Sequence, residues 1–60
     1  MARASYKDAI WWMAANDDTE WVNDDEPIMS VTATLVADLF DKDHETVIRD
    51  LRKQLEKLRG

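Results

Sequence analysis

The feature that most constrains the fold is a pair of apolar-patterned segments separated by three polar residues. The first segment reads VADLF over residues 36–40, the break is DKD over 41–43, and the second begins HETVIRDL over 44–51. In both segments apolar residues recur at a spacing typical of helices that bury one face. The pattern therefore predicts two helices joined by a tight turn.

The length and composition of the chain limit how such helices can be stabilised. Sixty residues form one domain at most, and a chain of this size buries only about 60% of its unfolded surface. No cysteine is present and His44 is the only histidine, which excludes disulfides and makes a structural zinc site implausible. Small domains without such cross-links often depend on self-association, and we therefore expect a homodimer.

We predict an all-α, three-helix domain over residues 1–60. Helix one is expected over about 6–15, because Ser5 can cap it and Asp8 completes a capping box. An acidic loop follows over 16–29, with a short turn near Thr19–Val22 and Trp21 packed on the core. Helix two is expected over about 31–41, capped by Ser30 or Thr32, and helix three over about 44–59, capped by Asp43.

Helix three carries apolar residues at alternating spacings of three and four. Ile48, Leu51, Leu55 and Leu58 form a heptad-like seam, which suits a helix that pairs with a second copy. The alternative is that the same side chains fill the domain's own core. We expect Val47, Ile48 and Leu51 to lie inside the domain and Leu55 and Leu58 to be shared with a partner, and we assign the dimer interface to Leu51, Leu55 and Leu58.

The segment from Val36 to Leu51 resembles the helix-turn-helix of bacterial repressors, which share a "VA…TV.R" pattern. It also resembles the DNA-binding segment of phage Rha-type regulatory proteins, and the chain as a whole is similar to short phage-encoded proteins. Asp41 stands where repressors usually carry glycine, and aspartate tolerates a left-handed conformation better than most residues. Lys42 replaces their usual apolar turn residue.

The resemblance implies that helix three enters the major groove of double-stranded DNA. By that resemblance His44, Glu45, Thr46 and Arg49 would contact bases, with Arg52 and Lys53 on phosphates. The charge distribution opposes this role. Residues 49–60 carry five basic and two acidic groups, but Asp41, Asp43, Glu45 and Asp50 would face the same phosphates.

A second hypothesis rests on the first half of the chain. Residues 1–27 hold two basic and seven acidic groups, so they account for the whole net charge of −5. Trp11 and Trp12 are neighbours about 100° apart on helix one, so we expect one in the core and the other partly exposed. An exposed tryptophan beside Asp24, Asp25 and Glu26 would suit a protein partner, including one whose basic surface normally binds nucleic acid.

The sequence contains no clear pattern for metal binding, phosphate binding or catalysis. The acidic cluster is best interpreted as a solvated loop, because it lacks the ligand spacing and turn glycine of a calcium-binding EF-hand. Gly60 is the only glycine, so no phosphate-binding loop is present, and we expect neither an enzyme nor a cofactor. With no membrane span expected, we expect a cytoplasmic protein.

The leading hypothesis is a small phage-like DNA-binding regulator. The alternative is an acidic module that binds and modulates a host protein.

Overall fold

The structure, a computed structural model, describes residues 5–59 as three α-helices and one short 3-10 helix. In chain order these are α1 (Tyr6–Asn16), the 3-10 helix (Glu20–Asn23), α2 (Val31–Leu39) and α3 (His44–Arg59). Between residues 5 and 59 there is no β-strand. The expectation of an all-α, three-helix fold is therefore confirmed.

The start of α1 follows the predicted capping box. The Ser5 hydroxyl accepts a hydrogen bond from the Asp8 N–H at 3.2 Å, and the Ser5 N–H donates to the Asp8 carboxylate at 3.2 Å. These bonds satisfy backbone groups that the first helical turn leaves free. The helix ends at Asn16, one residue beyond the predicted end, and buries Ile10 and Met13.

The segment between α1 and α2 is held to the domain through the 3-10 helix. Val22 is fully buried, whereas Trp21 is only half-buried. The Trp21 indole N–H donates to the Asp18 carbonyl at 2.9 Å, so its polar edge fixes the local turn. The prediction that Trp21 anchors this segment is thus only partly right, because its neighbour Val22 supplies the buried side chain.

The core lies where α1, the 3-10 helix and α2 meet α3, and α1 packs most extensively on α3. Each element contributes small or medium apolar side chains, and no polar side chain is buried among them in the described residues. The buried set is Ile10, Met13, Val22, Ala33, Ala37, Val47, Leu51 and Leu55.

The buried face of α3 shares Leu51 and Leu55 with the predicted seam but not Ile48 or Leu58. Val47, Leu51 and Leu55 form the buried row, Ile48 is half-buried, and Leu58 is 47% exposed. Leu51 and Leu55, which were assigned to a dimer interface, fill the core of their own chain in this structure. Of the three assigned residues only Leu58 keeps a surface that a second copy could contact.

Candidate interaction surfaces

The turn between α2 and α3 is built around one left-handed residue. Asp41 has φ 54°, and the Lys42 N–H reaches back to the Ala37 carbonyl at 2.8 Å. The Asp41 N–H donates to the Asp38 carbonyl at 3.3 Å. These two bonds form a Schellman motif, which ends a helix and usually places glycine at the left-handed position. Aspartate fills that position here, as its tolerance of positive φ allows.

A cluster around Tyr6 joins this turn to α1 and α3. The Tyr6 hydroxyl donates to the Asp50 carboxylate at 2.8 Å, and its ring meets the Phe40 ring edge-on with centroids 5.8 Å apart. The Lys42 ammonium lies 4.9 Å from the centre of the Tyr6 ring, within the range of a cation–π contact. Burial, followed by the bond to Asp50, raises the pKa of Tyr6 well above its ordinary value.

The residues expected to contact bases lie on the first turns of α3. His44, Glu45 and Arg49 are exposed and Thr46 is half-buried, so the outward face that they were predicted to form is present. The Arg49 guanidinium lies 3.7 Å from the Asp50 carboxylate. Because both ends of this pair contact water, it contributes little to stability.

Both residues expected to contact phosphates, Arg52 and Lys53, are exposed, but the Arg52 guanidinium also bonds within the domain. Its Nε donates to the Val22 carbonyl at 2.8 Å, and its terminal nitrogen lies 3.5 Å from the Asp24 carbonyl. Arg52 therefore ties α3 to the end of the 3-10 helix. Sequence reasoning missed this role, because it depends on which backbone carbonyls the fold brings to α3.

The link through Arg52 places the acidic segment beside α3. Asp25 and Pro27 line one side of an open groove of about 390 Å³, and Glu45, Ile48, Arg49, Lys53 and Glu56 lie on the other with Arg52. Carboxylates thus stand among the basic side chains that were expected to contact DNA. Their repulsion of phosphate would weaken binding at this face.

A second open groove, of about 480 Å³, lies between α1 and α2. Trp11, Trp12 and Ala9 line it from α1, Thr32 and Val36 line it from α2, and Asp8 stands at its edge. Both tryptophans are about half exposed, at 51% and 52%. The expectation that one of them would lie in the core is therefore wrong, since Met13 fills the core position on that side of α1.

The outer side of α2 continues this groove with large apolar side chains. Val31, Leu35 and Leu39 are 78%, 62% and 78% exposed, and they lie on the helical row next to Thr32 and Val36. The side of α2 that faces the core carries Ala33 and Ala37, both buried. The helix thus places its small residues inside and its large ones outside. We call the groove and this row together the α1/α2 apolar surface.

The residues of the protein-binding site predicted as the alternative to DNA binding lie in two separate regions, the α1/α2 apolar surface and the groove beside α3. Trp11 and Trp12 belong to the α1/α2 apolar surface, whereas Asp25 lines the groove beside α3. Asp24 and Glu26 are exposed in the segment that Arg52 holds. The exposed large residues of α2 are part of the surface that sequence reasoning missed, because apolar periodicity is typical of a helix face that is buried.

Within residues 5–59, no three His, Asp or Glu side chains are grouped closely enough to hold a metal ion. None of the helices in this range is both long enough and apolar enough to cross a membrane. Comparisons with protein-family models, with curated proteins and with solved structures found no match to this chain.

Proposed function

We propose that this chain is a small protein-binding module whose partner docks on the α1/α2 apolar surface. The observation that carries the proposal is the arrangement of α2, with Ala33 and Ala37 buried while Val31, Leu35 and Leu39 face solvent. A helix that is apolar on nearly every side is typical of a helix covered on every side. The fold covers one side of α2, and a partner would cover the other.

The energetics of the surface agree with this function. Burial of apolar area contributes about 25 cal/mol per Å², and large side chains such as leucine and tryptophan supply most of that area. Trp11 and Trp12 stand beside the row of Val31, Leu35 and Leu39, so a partner would cover them together. Tryptophan is also enriched among the residues that dominate binding energy at protein interfaces.

The test compares two variants in which exposed leucines become glutamine. Leu35→Gln with Leu39→Gln alters the proposed surface, and Leu58→Gln is the matched control on α3, where the side chain is 47% exposed. The wild type and the two variants are attached to beads. They are used to capture proteins from a nuclease-treated lysate of the organism that encodes this chain. We expect the wild type and the control to retain the same protein and the double variant to lose it. Equal capture by all three would contradict the proposal.

A second candidate function is DNA binding through α3, as the resemblance to repressors implies. The observation that favours it is the turn, in which Asp41 at φ 54° takes the conformation that glycine usually provides. His44, Glu45, Arg49 and Lys53 are exposed beyond this turn. Arg49 would contact a base edge and Lys53 a phosphate.

Salt dependence tests this second function. Fluorescence anisotropy with labelled duplex DNA should show an affinity that falls steeply between about 50 and 200 mM salt if Lys53 and its neighbours contact phosphates. Arg49→Ala should then remove sequence preference while the thermal melt stays unchanged. The absence of duplex binding at 50 mM salt would eliminate the DNA hypothesis and leave the protein-binding module unaffected.

A further inference from the structure

We infer that the occupant of the α1/α2 apolar surface is an amphipathic helix with basic residues beside its apolar row. This inference rests on the proposed function and names the chemistry of the partner. It follows from two properties of the surface, its shape and the charge around it.

The shape suits a helix. The outer row of α2 carries Val31, Leu35 and Leu39 at four-residue intervals, so it extends over about 12 Å of helix length. The groove beside this row has Thr32 and Val36 on one wall and the tryptophans of α1 on the other. A groove bounded by a ridge of side chains is the form in which one helix receives another. Helices that bind in this way insert apolar residues spaced three and four apart.

The charge around the surface selects a basic partner. The charged groups of α1 and α2 next to this surface, Asp8 and Asp38, are both acidic, and neither α2 nor the part of α1 beyond Lys7 carries a lysine or arginine. Asp8 stands at the edge of the groove, and Asp38 lies on the opposite edge of the outer row, nearly in line with Val31 but two turns further along α2. A helix seated between these edges would place its flanking residues near the two carboxylates. Basic flanks would be attracted there and acidic flanks repelled.

The same charges disfavour a second copy as the occupant. Two copies that met through this surface would bring the Asp8 and Asp38 carboxylates of both copies together, at a cost in electrostatic repulsion. The helix of this chain with the most basic residues is α3, but its apolar row of Val47, Leu51 and Leu55 is already buried in the core. Its exposed basic residues Lys53 and Lys57 lie with Lys7 around another groove, away from α2.

The experiment uses two synthetic helical peptides of equal length with the same leucine and phenylalanine row. One peptide carries lysine and arginine beside that row, and the other carries glutamate at the same positions. Binding to the full chain is measured by fluorescence anisotropy of the labelled peptides, and sedimentation equilibrium of the chain alone is measured in parallel. We expect the basic peptide to bind at least about tenfold more tightly than the acidic one at low salt, with the difference shrinking as salt rises.

Substitutions in the chain show where the basic peptide binds and whether the carboxylates beside the surface contribute to its preference. Leu35→Gln with Leu39→Gln should weaken binding of the basic peptide, and Leu58→Gln should not. Asp38→Lys should reduce the preference for the basic peptide, whereas Glu56→Lys, an equal charge change on α3, should reduce it less.

Three outcomes would overturn the inference. Equal binding of both peptides would remove the role of charge. Self-association of the chain that is lost in the Leu35→Gln, Leu39→Gln variant would identify a second copy as the occupant. Failure of both peptides to bind would exclude a helical partner of this kind, while the lysate comparison would still decide whether the surface binds a protein at all.

Discussion

The Tyr6 hydroxyl donates a hydrogen bond of 2.8 Å to the Asp50 carboxylate, joining the start of α1 to the middle of α3 across 44 positions of sequence. The Tyr6 ring also contacts Phe40 and Lys42, so one side chain connects both long helices and the turn. We expect Tyr6→Phe to keep the ring contacts and lose only this bond. The expected loss is about 1 kcal/mol of unfolding free energy, which should appear as a melting temperature lower by roughly 4–8 °C.

Burial of Tyr6, together with this bond, gives stability a dependence on alkaline pH. The folded state raises the pKa of Tyr6, so the tyrosine releases its proton more readily in the unfolded chain. This contribution is fully present below the ordinary tyrosine pKa of about 10 and is lost as pH rises above it. Urea denaturation between pH 8 and 11 should show a steeper loss of stability for the wild type than for Tyr6→Phe. Parallel curves would show that Tyr6 is not the group involved.

Asp41 occupies a backbone conformation that favours glycine. With φ at 54° its Cβ is crowded, and replacement by glycine removes that crowding. Asp41→Gly should therefore raise the unfolding free energy by about 0.5–1 kcal/mol, partly offset by the greater freedom of glycine in the unfolded chain. Asp38→Gly, inside α2, is the control and should give no gain. Chemical denaturation of both variants checks the prediction, and an equal effect of the two would contradict it.

Arg52 fixes the acidic segment by donating to the Val22 and Asp24 carbonyls. Arg52→Met keeps much of the aliphatic stem but removes both donors, so we expect a loss of about 1 kcal/mol. Hydrogen exchange should become faster in residues 20–27 and change little in α1. Lys53→Met is the neighbouring control, since Lys53 is exposed. If both variants exchange alike, the bonds of Arg52 do not hold the segment.

Two of the three leucines assigned to a dimer interface, Leu51 and Leu58, should respond very differently to truncation. Leu51 is fully buried, so Leu51→Ala should cost about 2–5 kcal/mol, a large share of the stability of so small a domain. Leu58→Ala should cost less than about 1 kcal/mol, because the side chain is 47% exposed. Urea denaturation at several protein concentrations measures both. A large, concentration-dependent cost for Leu58→Ala would restore the dimer seam.

The parts of the fold that the sequence predicted are those decided by nearby residues. The Ser5 and Asp8 capping box, the Ser30 cap and the break after α2 depend on side chains within a few positions of the backbone that they bond. The buried row of α3 could not be placed as surely, because Val47 and Ile48 are both apolar and only packing decides between them. Which of the two side chains is buried is therefore decided by tertiary packing.

The candidate surfaces were harder to predict for the same reason. Apolar periodicity in α2 indicates a helix, but it does not say which side faces the core when nearly every side is apolar. The exposure of Leu35 and Leu39 follows from Ala33 and Ala37 being the residues that fit against the neighbouring helices. The bonds of Arg52 likewise join positions about 30 residues apart, which no local pattern encodes.

The small residues on the inner side of α2 have a thermodynamic consequence. Ala33 and Ala37 bury little area, so α2 gains less from folding of the isolated chain than its apolar content would allow. The rest of that gain becomes available only when Val31, Leu35 and Leu39 are covered. A ligand that covers this row would therefore stabilise the folded chain, by an amount that grows as the logarithm of ligand concentration over Kd.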